Sequence, residues 1–193
     1  MHWCCRLRAT APSHLQRNEF LPQRGRKTLL VTRIETTVIQ IIDYTPALSG
    51  QIADLFHASI HRVACRDYTA EELAVWAPFP IDYDHWLERL NRKRPTVAVD
   101  SDKATVLGFA ELDPDGHIDC FYVHPDHQRK GVGRALMRAI DKKAAGAGLH
   151  RLFAEVSITA KPFFLQMGFT VVRPNLAARG GMLLKNYIME RFY

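Results

Sequence analysis

The spacing of hydrophobic residues divides the chain from Val38 onward into strands and helices. Runs that alternate with a period of two, or that are rich in β-branched residues, predict strands at residues 38–44, 96–100, 105–112, 117–123, 151–156, 169–173 and 181–192. Hydrophobic residues three or four positions apart predict helices at residues 45–63, 68–77, 81–90, 131–145 and 159–167. Helices that alternate with runs of strands in this way indicate an α/β fold with a mixed sheet.

The totals are those of one globular domain. The chain has 193 residues, of which 47% are hydrophobic, and this size suffices for a single core. No hydrophobic run reaches the roughly 18 residues that a membrane span needs, so no membrane insertion is expected. The cysteines show no C-x-x-C spacing, which argues against a disulfide framework or a zinc site and favours the reducing cytoplasm; they are Cys4, Cys5, Cys65 and Cys120.

The positive charge of the chain belongs to its first 33 residues. This segment holds seven basic side chains against Glu19 alone, which accounts for the whole formal net charge of +6. We expect a disordered basic leader at residues 1–33 and a folded domain at residues 34–193. The leader is open to three interpretations: an upstream extension, a targeting segment or a nucleic-acid-binding tail. The folded domain has balanced charge, so nucleic acid is not an expected partner for it.

The segment VHPDHQRKGVGRALMRAI, residues 123–140, places two glycines and several cations between a strand and an amphipathic helix. A helix that begins near Gly131 leaves its first N–H groups without intrahelical partners, and Lys130 in the capping position cannot accept their hydrogen bonds. Glycines lack a Cβ atom, so a ligand can approach the backbone closely. A phosphate or pyrophosphate bound at the helix N-terminus would satisfy these donors.

Two other interpretations of this segment are open. In the first, the glycines serve only a tight turn at an exposed basic helix start. In the second, the segment belongs to a dinucleotide-binding fold, for which Glu155 lies at a suitable distance downstream. Against the second stand Leu136, which occupies the position of the third glycine, and the charged insert between the strand and the glycines.

Two segments carry a family resemblance. The sequence QRKGVG at residues 128–133, after a strand that ends YVHP, resembles the Q/R-x-x-G-x-G/A acyl-CoA signature of the GCN5-related N-acetyltransferases (GNAT). EVSITAKPFFLQMGF at residues 155–169 is similar to the strand and helix that follow in that family. The resemblance is strongest over 105–170 and extends by element order to about 34–193. It implies a mixed, mostly antiparallel sheet with helices on both faces and a central V-shaped acyl-CoA cleft.

The resemblance also implies an acyl donor and its contacts. Acetyl-CoA, or another acyl-CoA, is the expected donor substrate, and no metal is expected. The main chain of Phe121 and Val123 is expected to bind the pantetheine arm, together with Ser157, which stands where the family has Asn. The pyrophosphate is expected on a loop that consists of Gln128, Arg129, Lys130, Gly131, Val132, Gly133 and Arg134.

Phe164 departs from the family at the position of a Tyr that is often proposed to protonate the departing CoA thiolate. Transfer would then need water or another residue as proton donor. The alternative is a catalytically silent module that binds or senses acyl-CoA. Transfer through Cys120 as a covalent intermediate is not expected, because this thiol has no evident activating partner.

The reaction also needs a base, because an alkyl-amine acceptor is mostly ammonium at neutral pH. Glu111, Asp119 and Glu155 are candidates, and Glu111 is the residue that we predict. Strand alternation puts Asp119 on the same face as Phe121 and Val123, unless a β-bulge shifts the register.

The sequence predicts direct transfer from acetyl-CoA to an amine acceptor, a small molecule or a peptide, whose identity it does not give. His57 and His61 have the spacing of zinc-protease histidines, but Ala58 replaces the catalytic Glu of that motif, so they are expected to be ordinary helix or cleft-lining residues. The hydrophobic last segment, residues 181–192, is the expected contact of a homodimer.

Overall fold

The computed structural model describes residues 38–193, so the leader predicted at residues 1–33 lies outside the described residues. Five helices are α1 Ser49–Arg62, α2 Ala70–Trp76, α3 Tyr83–Lys93, α4 Val132–Gly146 and α5 Lys161–Gln166. Seven strands are β1 Gln40–Asp43, β2 Thr96–Val99, β3 Val106–Leu112, β4 Ile118–Val123, β5 Arg151–Ser157, β6 Thr170–Arg179 and β7 Met182–Phe192. Every helix and strand predicted after Val38 is present, although β6 is longer than predicted.

Two antiparallel sheets meet along β4 and β5. The first has the strand order β1-β2-β3-β4 and the second has the order β5-β7-β6. The parallel neighbours β4 and β5 touch through a single bridge between His117 and Phe153, where the Phe153 N–H donates to the Gly116 carbonyl at 3.1 Å. Beyond this bridge the described residues of the two strands share no ladder, so a V-shaped gap opens between them. The predicted fold class is confirmed.

Helices cover both faces of the first sheet. Ala98 on β2 belongs to the core under α4, which includes Leu136 and Ile140. Its neighbours Val97 and Val99 point the other way and belong to the core under α1 and α3. Such alternation is the rule for a strand that is buried on both faces.

A β-bulge in β4 changes which side chains share a face. Ala110 pairs with Phe121 and Leu112 pairs with Ile118, so β4 has one residue more than β3 in this interval. Asp119 therefore points toward α3, where Lys93 binds it, while Phe121 packs in the core under α4. The strand alternation expected for residues 117–123 is wrong at Asp119, because the bulge shifts the register.

The start of α2 has a reciprocal side-chain cap. Thr69 and Glu72 form a capping box, in which the Glu72 N–H donates to Thr69 Oγ1 at 3.3 Å and the Thr69 N–H donates to Glu72 Oε2 at 2.8 Å. Within residues 38–193, no helix combines the length and the hydrophobicity that crossing a bilayer requires.

Candidate active site

The gap between β4 and β5 forms a cleft of about 710 Å³. Its walls come from β4 and β5, its wide end from the start of α4 and from α5, and its roof from α1, α2 and the turn between them. Among the residues predicted for the site, those that line it are Phe121, Val123, Gln128, Arg129, Gly131, Gly133, Arg134 and Ser157. Residues predicted in three separate segments of the sequence therefore form much of one continuous surface in the structure.

The start of α4 opens onto this cleft without a side-chain cap. Gly131 is the capping residue and has a left-handed backbone with φ of +92°, a conformation that favours glycine. An added Cβ atom would meet nothing closer than Ile39 at 3.8 Å. Gly131 is therefore required by the backbone conformation, and the space beside it is free for a ligand.

Three members of the predicted loop differ from expectation. The space beside Gly133 is filled by the Phe163 ring and not left for a ligand, because an added Cβ atom would stand 3.1 Å from that ring. Val132 is buried in the core under α4, so it can offer a ligand only its main chain. Lys130 is exposed and does not line the cleft.

Hydrogen bonds from the roof fix the two walls. Ser59 Oγ on α1 donates to the Val123 carbonyl at 2.8 Å. The Tyr68 hydroxyl donates to the Lys185 carbonyl at 2.6 Å and accepts from the Ile158 N–H at 2.9 Å. The first bond holds the end of β4, and the other two join the residue after β5 to Lys185 of β7. Together they keep the wide end of the V at a fixed opening.

Glu111, the predicted base, does not face the cleft. Its carboxylate is fully buried and accepts a hydrogen bond from Arg89 on α3 at 2.6 Å, and it is absent from the cleft lining. Burial raises the pKa of Glu111, and the neighbouring guanidinium opposes that rise. The expectation that Glu111 lies beside the cleft is wrong, because β3 is an interior strand and this side chain points under α3.

Glu155 does line the cleft. His117 Nε2 lies 2.6 Å from its Oε2, and His117 Nδ1 lies 3.5 Å from Asp113 Oδ2. Sequence reasoning missed this pairing, since 38 positions separate the two residues. Only the bridge between His117 and Phe153 brings β4 and β5 together at this point.

One group of possible metal ligands exists among residues 38–193. Ligand atoms of Glu111, Asp119 and Cys120 lie within 4.8 Å of one another. The Arg89 Nη2 atom lies 2.6 Å from Glu111 Oε2, 2.8 Å from Asp119 Oδ2 and 3.4 Å from Cys120 Sγ. A guanidinium thus occupies the position that a metal cation would need.

Comparisons with known proteins agree with this geometry. Residues 64–190 match the family model of the acetyltransferase (GNAT) domain. An uncharacterized N-acetyltransferase of Escherichia coli K12, YafP, is 30% identical over 152 residues, which cover 79% of this chain and 95% of that protein. The chain belongs to the GNAT acetyltransferase family.

Solved structures give the same answer. A GCN5-related N-acetyltransferase from Rhodopseudomonas palustris superposes with a TM-score of 0.74 and 31% identity, over 80% of this chain and 95% of that one. The yncA acetyltransferase of Salmonella typhimurium, solved with acetyl-CoA, superposes with a TM-score of 0.58 and 22% identity, over 81% and 94% of the two chains. At that lower identity the likeness concerns the fold alone.

Two positions of this GNAT protein depart from the family pattern in the cleft. Ser157 Oγ accepts a hydrogen bond from the Ala160 N–H at 3.1 Å, which leaves its O–H free to donate. Phe164 is buried among the rings of Phe121, Phe163 and Phe169. The ring at this position packs the wall of the cleft and has no proton to donate.

The thiol of Cys120 is poorly suited to carry an acyl group in this acetyltransferase. It is buried beneath α3, and burial raises its pKa well above the ordinary range of a cysteine. A nucleophilic cysteine needs the thiolate form near neutral pH. Direct transfer to the acceptor therefore fits the site better than transfer through this thiol.

Proposed function

We propose that the protein transfers an acetyl group from acetyl-CoA directly to an amine, in the cleft between β4 and β5. The observation that carries the proposal is the uncapped start of α4, which opens onto that cleft at Gly131. Its free N–H groups and helix dipole favour an anion at this point. The diphosphate of acetyl-CoA supplies the charge, and its pantetheine arm matches the elongated gap.

The distribution of charge supports this orientation. Arg129 and Arg134 line the cleft beside the start of α4. Arg66 lines it from the turn after α1, next to Asp67, which binds Thr159 beyond the end of β5. All three arginines therefore belong to the wide end of the V. The phosphates of the donor lie there in our proposal, and its thioester points toward the narrow end.

The pantetheine arm then runs between the two strands. Main-chain groups of Phe121 and Val123 and the hydroxyl of Ser157 are the proposed hydrogen-bonding partners of its amides. The Val123 carbonyl already accepts from Ser59, which leaves it one further lone pair.

The chemical step is an acyl transfer. The free amine attacks the thioester carbonyl carbon, a C–N bond forms, the C–S bond breaks and CoA leaves as a thiolate. The thiolate takes its proton from water, because Phe164 offers none. The acceptor nitrogen loses two protons in total, one before the attack and one after it. One of these protons is equivalent to the proton that the CoA thiolate takes up, and the other is released to solvent.

The acceptor is a small-molecule or peptide amine in this proposal, and the compartment is the cytoplasm. A homodimer through β6 and β7 remains a prediction. The exposed hydrophobic side chains that would support it are Val171, Val172, Leu176 and Leu183.

Calorimetric titration with acetyl-CoA tests the binding mode. Gly131→Asp places a carboxylate where the diphosphate would bind. Loss of charged hydrogen bonds worth about 1.5–3 kcal/mol weakens the Kd by about 10- to 150-fold. Gly50→Asp is the control, because Gly50 lies in the first turn of α1 with open space around it and outside the cleft. A wild type that ignores acetyl-CoA, or a Gly131→Asp variant that binds as the wild type does, contradicts the proposal.

A further inference from the structure

The narrow end of the cleft holds Glu155, one of the three candidate bases in the sequence, and the proposed donor contacts do not involve it. Four charged residues line the cleft within the described chain, namely Arg66, Arg129, Arg134 and Glu155. The arginines belong to the wide end. Glu155 lies two residues along β5 from Phe153, where β4 and β5 meet. The cleft is thus cationic where phosphates would bind and anionic where a thioester would end.

Strand alternation explains why Glu155 is available there. Leu152, Ala154 and Val156 of β5 point into the core under α4. Glu155 points the opposite way, and its side chain is 45% exposed. It can therefore meet an acceptor that enters the cleft from the side of α1 to α3, while the donor enters from the start of α4.

The carboxylate is held in place by His117. The distance of 2.6 Å between Nε2 and Oε2 is that of a strong hydrogen bond, in which an ionised carboxylate can only accept. The His117 ring also stacks on Phe153 with centroids 5.0 Å apart. These two contacts from β5 fix both the position and the orientation of the imidazole.

The charged groups around His117 come from four elements. Asp113 precedes it in the same hairpin, 3.5 Å from Nδ1, and Lys93 of α3 binds Asp113 at 2.7 Å. Arg151 of β5 lies over the Phe153 ring on which His117 stacks, and Arg151 is itself paired with Glu190 of β7 at 2.8 Å. Asp113 and Glu155 thus face the two ring nitrogens of His117, and Arg151 is placed against the Phe153 ring.

The geometry points to Glu155 as the general base that removes a proton from the acceptor ammonium, with His117 as the residue that positions its carboxylate. The inference rests on the proposed acetyl transfer. An N–H bond of the ammonium breaks, an O–H bond forms on Glu155, and the free amine then attacks the thioester. The proton passes from the exposed carboxylic acid to solvent, which returns Glu155 to its ionised form. No other reactant is needed.

The test compares two nucleophiles that differ in their need for a base. Methylamine is an alkyl ammonium at neutral pH, whereas hydroxylamine is already a free base there. Both are small enough to react without the recognition that a natural acceptor requires. CoA release from acetyl-CoA is measured with each of them, after subtraction of the rate without enzyme.

Glu155→Gln is expected to lower the methylamine-dependent rate about 100-fold or more, which is the usual contribution of a general base. The hydroxylamine-dependent rate is expected to stay within about threefold of the wild type, because this nucleophile needs no deprotonation before it attacks. The methylamine-dependent rate of the variant should also rise about tenfold per pH unit, in step with the fraction of free amine.

His117 is tested as a positioning residue. His117→Ala is expected to lower kcat with methylamine about 10- to 100-fold, to leave the KM for acetyl-CoA unchanged and to spare the hydroxylamine reaction. His117→Gln keeps an N–H donor and is expected to restore part of kcat. Glu88→Gln is the control, because Glu88 is an exposed carboxylate of α3 that does not line the cleft, and we expect it to leave both reactions unchanged.

The outcomes separate the inference from the proposed function. Equal losses with both nucleophiles, or no loss with either, overturn Glu155 as the base. A loss in Glu88→Gln that matches the loss in Glu155→Gln overturns it as well. A wild type that binds acetyl-CoA but releases no CoA to hydroxylamine overturns the acetyl transfer itself. A wild type that fails to bind acetyl-CoA overturns the proposed binding mode.

Discussion

Replacing Glu111 by Gln separates a buried structural carboxylate from a catalytic one. The substitution keeps the shape of the side chain and removes its charge, so it opens no cavity. Removing one partner of a buried ion pair typically costs about 3–5 kcal/mol. Arg89 retains Asp119 at 2.8 Å and is 22% exposed, so we expect a loss of about 1.5–3 kcal/mol in the free energy of unfolding, the range for a hydrogen bond to a charged group.

Denaturation and kinetics provide the measurement for this variant. A loss of 2 kcal/mol corresponds to a fall in Tm of about 4–8 °C for a domain of this size, and to a fall of about 1 M in the urea midpoint. Because Glu111 does not line the cleft, kcat/KM with methylamine is expected to stay within about threefold of the wild type. Glu155→Gln should show the reverse, with lost activity and a nearly unchanged Tm.

The reasoning fails if Glu111→Gln lowers kcat about 100-fold at an unchanged Tm. That result would make Glu111 the base, as its sequence context first suggested, and would require β3 to expose a side chain that the structure buries beneath α3. A loss in both Tm and kcat is resolved by an assay well below the Tm of the variant. At that temperature a structural residue recovers its rate and a catalytic residue does not.

Further predictions concern stability and the donor site. Arg89→Met removes the cation that opposes the raised pKa of Glu111. The folded variant then holds the proton of Glu111 more tightly than the unfolded chain does. Its free energy of unfolding should therefore fall by up to about 1.4 kcal/mol per pH unit as the pH rises above about 4.3. In urea titrations, the double variant that also carries Glu111→Gln should not show this slope. Gly131→Ala forces alanine into a φ of +92°, at a backbone strain of about 1–2 kcal/mol. If the free loop relaxes to relieve this strain, calorimetry should show acetyl-CoA binding weakened by about 5- to 30-fold, and an unchanged Kd would contradict this. Thr69→Ala removes the capping box with Glu72 and should cost about 1 kcal/mol of stability with no effect on Kd. A larger change in Kd than in stability would contradict the last prediction.

Local patterns in the sequence predicted most of the elements and the uncapped start of α4. The periodic spacing of hydrophobic residues identifies a helix such as α4, because the hydrophobic stripe on a helix depends only on residues close together in the sequence. The missing cap at Gly131 is likewise visible in the sequence, and the structure has no side-chain cap there. These signals are local, so they do not depend on how distant segments pack.

The candidate base could not be chosen in this way. Glu111, Asp119 and Glu155 all stand in strands, and their sequence neighbours do not say which face of the sheet each of them meets. A single extra residue in β4 turns Asp119 toward α3, and an interior position buries Glu111 beneath the same helix. Only the contact of β4 with β5 brings His117 to Glu155. Each of these facts depends on pairing between strands that are far apart in the chain.

The same pairing explains why the cleft suits an arm with amide groups. All seven residues of β5 pair with β7 on one edge, and β4 pairs with β3 on its outer edge. The facing edges of β4 and β5 therefore have no ladder between them beyond His117 and Phe153 within the described chain. Main-chain groups on such edges need partners. A pantetheine arm carries two amides, so in the proposed binding mode it takes the place of the missing strand and bonds both edges, and its thioester lies toward Glu155.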